Sequence, residues 1–203
     1  MKLRPVIITV LLIAINVICF MLEVVQGSVS DGQQLLEQGA SFAPYIRQGE
    51  YYRLVTSIFM HFDITHLANN MIALWALGSY LEPRIGGLRI FLTFFLGGLA
   101  GNILSFAWDE LTGDYAISVG ASGGVFALFG CILFLFLFRR NTVSELSAFR
   151  VIMALGFLFA GNFESNVNVS AHLGGFTGGF LLQIFVPVSG KTQEKQKQNL
   201  DFS

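Results

Sequence analysis

A serine, two histidines and an asparagine stand in stretches of this chain that are otherwise apolar. Ser122 lies in VGASGGVF, between Gly120 and Gly123. His172 lies in VSAHLGGFTGGF, and His66 and Asn70 lie in HFDITHLANN. A Ser and a His on different helices at one depth can form a nucleophile–base pair. The His takes the Ser proton and later returns one to the leaving amine. The attacked carbonyl becomes an oxyanion, and that charge needs donors. His66 and Asn70 are four residues apart, so they share one helical face, and each offers a side-chain N–H. The backbone N–H of Ser122 is a third donor. Each residue also has a quieter reading. Ser122 suits a helix-packing surface, His66 and Asn70 suit interhelical hydrogen bonds, and His172 suits a backbone carbonyl. The chemical reading gains from the combination, because all four fall at one depth on three helices.

The elements that must position them follow from composition. The chain has 203 residues, of which 54% are hydrophobic and 12% charged, with 21 Phe and 22 Gly. Its mean hydropathy is +0.65. An average soluble domain carries about 25% charged residues. The balance excludes disorder, a collagen-like repeat and a disulfide scaffold, and it leaves too little polar surface for a soluble globule. A net charge of −1 argues against a nucleic-acid partner. Cys19 and Cys131 fall inside apolar runs without the Cys/His company of a metal site, so no metal or other cofactor is expected. An all-α, polytopic membrane protein fits.

Six spans are expected. The first, Pro5 to Val25, is longer than the apolar core of a secretory signal and has no A-x-A site after it, so it reads as an uncleaved helix. The others are Ile64 to Leu81, Leu88 to Trp108, Val119 to Phe138, about Ala148 to Gly161, and Ala171 to Val188. The fifth is short and needs Arg150 to snorkel. The connection from Gly27 to Phe62 is long. Its second half, YIRQGEYYRLVTSIFMHF, carries Leu54, Val55, Ile58 and Phe59 at helical spacing and predicts an interfacial helix. Residues 1–190 read as the membrane domain and 191–203 as a polar tail.

With the N-terminus in the cytoplasm, ten of the twelve Lys and Arg residues fall inside, and only Arg47 and Arg53 fall outside. This positive-inside bias puts both termini in the cytoplasm of a multi-pass protein of the cell membrane. It also puts Ser122, His172, His66 and Asn70 all toward the outer face. Gly174, Gly175, Gly178 and Gly179 form a small-residue stripe on the sixth span, and Gly120 and Gly123 flank Ser122 on the fourth. Small residues let helices approach closely in lipid, which would bring His172 to Ser122. Gly97-x-x-x-Gly101 reads as packing away from the pair, and His61 as an interfacial loop residue.

These residues resemble a known family. Gly120-Ala121-Ser122-Gly123 looks like the GxSG motif of rhomboid intramembrane serine proteases. Ala171-His172-x-x-Gly175-x-x-x-Gly179 resembles their sixth-helix motif, and His61-x-x-x-x-His66-x-x-x-Asn70 their second-helix motif. Glu82-x-Arg84-x-Gly86 and Tyr52-Arg53 also look like family marks. The resemblance implies a six-helix bundle of the basic form. It implies Ser122 as nucleophile, His172 as base with no acidic third member, and an oxyanion hole of His66, Asn70 and the Ser122 N–H. Arg53 would hold the first loop. Partners would be the lipid bilayer and transmembrane proteins, cut near the outer end of their helix. Many bacterial members carry Tyr where this chain has Phe126, a ring expected to stack on His172.

Two other classes compete. An inactive rhomboid-like protein would bind transmembrane helices without cutting them, and such relatives usually lack the Ser or the His. A transporter or channel would carry broken helices or charges at mid-membrane, whereas this chain keeps its charges near the ends of its spans.

Overall fold

A computed structural model describes residues 6–27, 31–151 and 167–185. The expected fifth span, 148–161, and the tail, 191–203, lie almost wholly outside the described residues. The architecture is all-α. Helix α1 runs Ile7–Gln26, followed by short helices α2 (Gly32–Gln38), α3 (Ala43–Arg47) and α4 (Arg53–Thr56). Then come α5 (Ile64–Ile85), α6 (Gly87–Thr112), α7 (Ser122–Phe138) and α8 (Val169–Phe185). Helices α1 and α6 are long and apolar enough to cross a membrane; α7 and α8 are apolar but shorter.

The ends of several helices differ from the expected spans. Helix α5 continues through Pro83 and stops at Gly86, whose φ is +89°. Pro83 lies in the last turn, where it removes the one bond its N–H would have given to the carbonyl four residues back. Helix α7 starts at Ser122 rather than Val119, because the residues before it are pinned elsewhere. Instead of one interfacial helix, the first loop folds into α2, α3, α4 and a 3-10 turn, Ser57–Phe59.

One stripe of α1 is buried: Thr9, Leu12, Asn16, Phe20 and Glu23. Their three- and four-residue spacing is the inward face of an amphipathic helix. Thr9 Oγ1 and Thr9 N donate to Glu82 Oε2 at 2.6 and 2.8 Å, and Ile8 N donates to Glu82 Oε1 at 2.9 Å. A carboxylate from α5 thus satisfies N–H groups that α1 cannot pair within itself, at the positive end of its dipole.

Helices α6, α7 and α8 make the most extensive contacts in the bundle. Their glycines allow it. A Cβ on Gly175 would land on the carbonyl oxygen of Gly123, and one on Gly179 on that of Ala127. Gly97 and Gly101 belong to the same packing, contrary to the reading that set them apart. A Cβ on Gly97 would strike the Ala127 Cβ, and one on Gly101 would sit 2.5 Å from the oxygen of Ala171, next to His172. At the far end from Ser122, Arg89 Nε donates to Gln183 Oε1 at 2.7 Å, and Gln183 Nε2 donates to Thr93 Oγ1 at 3.1 Å. Cys131 is buried and Cys19 half-buried, both as free thiols.

The first loop is built around Arg53, only 4% exposed. Its Nη1 donates to the carbonyls of Leu36 and Ala40 at 2.6 and 3.0 Å. Its Nε donates to Glu50 Oε2 at 2.8 Å, and its guanidinium lies 4.7 Å from the Tyr45 ring centroid. Hydrogen bonds from Tyr52 and Arg53 hold the Glu50 carboxyl below its usual range. Its contribution is therefore present above the ordinary carboxylate pKa and is lost as pH falls through the depressed one. Arg53→Lys should lower the melting temperature in detergent, because a single ammonium cannot span the fork of partners. A cost of about 1–3 kcal/mol is expected from buried carbonyls left unpaired. An unchanged melting temperature would show that the loop is held by other contacts.

Candidate active site

The segment leading into α7 is fixed from two sides. Ser118 and Ser41 exchange backbone hydrogen bonds of 2.9 and 3.0 Å, and Gly120 N donates to Ser57 O at 2.8 Å. Gly120 has φ +138°, a conformation that glycine adopts freely and other residues rarely do. A Cβ there would also sit 2.8 Å from His66 Cε1. Its role is a turn against the His66 ring, not the helix–helix packing expected from sequence. Gly123 does lie at the helix contact, and a Cβ there would meet Gly98 Cα at 3.5 Å. The turn makes Ser122 the first residue of α7. Its N–H is one of four that an α-helix leaves without an internal partner, at the positive end of the dipole.

His172 lies on the first turn of α8, and its Nε2 is 2.9 Å from Ser122 Oγ. The Phe126 ring stacks on the His172 ring at 3.9 Å between centroids and 16° between planes. One helical turn separates Ser122 from Phe126 on α7, so the same helix carries the hydroxyl and the surface that orients the imidazole.

His66 and Asn70 stand on the first two turns of α5. Asp63 caps that helix, accepting from His66 N at 2.7 Å. Asn70 Nδ2 donates to His66 O at 3.0 Å, which leaves its second amide N–H for another acceptor. His66 Nδ1 is buried without a hydrogen bond. Ser122, His172, His66 and Asn70 all line one open cavity of about 440 Å³.

His61 is not the interfacial loop residue expected. It is 0% exposed, and its ring packs edge-on against His66 at 5.2 Å between centroids. Asn168 and Asn102 also bond around the site, though motif spacing marks neither. Asn102 Nδ2 on α6 donates to Leu54 O at 2.8 Å and Ser57 Oγ at 2.9 Å, tying α6 to the loop behind the site. Asn168 precedes an apolar helix by one residue, a usual N-cap signal that marks it without revealing its other partners.

A helical membrane bundle with a Ser–His contact in an open cavity defines a narrow class. The rhomboid domain matches residues 48–188, and the chain belongs to the rhomboid family, a family of membrane proteins. It is similar to "Rhomboid protease GluP" of Bacillus subtilis (strain 168), with 36% identity over 176 residues, 85% of this chain and 33% of that protein. It is similar to "Putative rhomboid protease YdcA" of the same organism, with 38% identity over 138 residues, 68% of each chain. "RHOMBOID-like protein 1" of Arabidopsis thaliana is 36% identical over 141 residues, 68% of this chain and 35% of that protein. The match spans about a third of the first and third relatives and about two thirds of the second.

Proposed function

We propose that this protein is an intramembrane serine endopeptidase that cuts transmembrane-helix substrates near the outer membrane face. The observation that carries the reading is the 2.9 Å contact between Ser122 Oγ and His172 Nε2 inside an open cavity. His172 accepts the Ser122 hydroxyl proton as the oxygen attacks the scissile carbonyl. The tetrahedral oxyanion takes hydrogen bonds from the Ser122 N–H, the spare Asn70 N–H and His66. Collapse breaks the C–N bond, and His172 gives its proton to the leaving amine. Water, activated by the same imidazole, then attacks the acyl-enzyme; the proton returns to Ser122 as the acid product leaves. Stacking on Phe126 holds the imidazole in plane for both transfers.

The distribution of Lys and Arg supports a cell-membrane protein with both termini in the cytoplasm. The substrate class is a single-span membrane protein with its cleavage site at the outer end. The test is labelling of Ser122 by a fluorophosphonate or isocoumarin probe, together with cleavage of a single-span substrate in proteoliposomes. A folded protein that neither labels nor cleaves would overturn the proposal.

The oxyanion assignment has its own check. Asn70→Ala should lower turnover by roughly 10², while KM changes little. If Asn70 served only to bond His66 O, detergent stability would fall and the folded fraction would turn over normally. Turnover and melting measured on one purified sample decide between the two.

A further inference from the structure

Asn168 uses its whole hydrogen-bonding capacity. An asparagine amide has two N–H donors and an oxygen with two lone pairs. Here Oδ1 accepts from Ala171 N at 2.9 Å and Ser170 Oγ at 2.8 Å. Nδ2 donates to Ser105 Oγ at 2.7 Å and to Ser118 Oγ at 2.9 Å. The backbone carbonyl of Asn168 also accepts from His172 N at 3.2 Å. The amide cannot be turned over, because its NH₂ would then face the Ala171 N–H.

These bonds link three elements at one point. The oxygen caps α8, the helix that bears His172. One N–H reaches α6, and the other reaches Ser118, four residues before Ser122 on the segment that Gly120 turns into α7. The two reacting side chains sit on different elements, so the proposed chemistry needs the distance and orientation between those elements fixed. Other contacts fix the lower parts of α7 and α8; at the site end, Asn168 spans from the His172 helix to the Ser122 segment.

We infer that Asn168 is a positioning residue that sets the register between His172 and Ser122 through its bond to Ser118. The inference rests on the protease reading above. A misplacement of about 1 Å between reacting groups can cost about 10² in rate. The effect should fall on kcat, because Asn168 acts on the geometry of the pair and not on the affinity for the substrate helix.

Asn168→Ser separates the two roles of the side chain. Serine remains a good N-cap but is too short to reach Ser105 and Ser118. Ser118→Ala removes the bond to the Ser122 segment and leaves the cap untouched. With purified protein in proteoliposomes and a single-span substrate, N168S should lower kcat by about 10–100-fold. KM should stay within about threefold, and the protein should remain folded, the kept cap limiting the drop in melting temperature that the lost bonds to Ser105 and Ser118 bring. S118A should lower kcat in the same direction, and the double variant should be no slower than N168S, since both remove one shared bond. Unchanged kcat in either folded single variant overturns the inference, as do additive losses in the double variant. The protease reading fails separately: cleavage that persists in Ser122→Ala would sink it, whereas full Ser122-dependent cleavage in N168S sinks only the role of Asn168.

Discussion

Alanine at Ser122 or at His172 should abolish cleavage of a single-span substrate, with losses on the order of 10⁴–10⁶ in turnover. The hydroxyl and the imidazole meet at 2.9 Å, and in the proposed mechanism neither performs the proton transfer without the other. The double variant should therefore be no worse than either single one. Folding should survive. Ser122→Ala removes one partly buried hydroxyl, and alanine begins a helix without difficulty. His172→Ala leaves the Phe126 face uncovered, which costs packing but breaks no backbone bond. Helix content and melting in detergent measure folding, and product appearance measures chemistry. Additive losses, or a Ser122→Ala protein that still cuts, would mean that the pair does not share the step.

Gly175→Val should be nearly as severe for chemistry, for a different reason. The Cβ that valine brings would land on the Gly123 carbonyl oxygen, one residue from Ser122. Nothing flexible lies there to move aside, so α7 and α8 must separate. A hydrogen bond tolerates only about 2.6–3.2 Å between Oγ and Nε2. Probe labelling and cleavage should both be lost while the chain still inserts in the membrane. Gly97 is no control, since its own missing side chain admits Ala127. Ile72 serves instead: it projects from the bundle at 68% exposure, and Ile72→Ala should label and cleave normally. Near-normal labelling of Gly175→Val would show that close approach of these helices is not what holds the pair together.

Much of this organisation can be read from the chain. Apolar runs of the right length mark α1 and α6. The glycine stripe on α8 marks the face that packs most tightly, because in lipid small residues are what permit close contact. Ser122, His172, His66 and Asn70 stand out because polar groups at membrane depth are costly to place. Other features are hidden for physical reasons. His61 looks like a loop residue because it stands in the connection before the second span, yet it is enclosed by partners distant in sequence: its N–H donates to Glu23 on α1, 38 residues away, and its ring packs on His66. The role of Gly120 depends on its φ and on the His66 ring above it, and neither is local in sequence. Asn168 lies 63 residues from Ser105 and 50 from Ser118, so no window along the chain contains its partners.

Helix α8 is fastened at both ends. Asn168 holds one end to Ser105 and Ser118, and Gln183 holds the other to Arg89 and Thr93. Between them the helix rises about 1.5 Å and turns about 100° with each residue. It therefore works as a gauge whose length sets where His172 stands against Ser122. One residue added or removed anywhere between the two fastenings would swing one end through about 100° relative to the other. Either His172 would leave Ser122, or Gln183 would leave Arg89 stranded in the bundle. Residues in this stretch can be exchanged for others of like size, but their number is not free to drift.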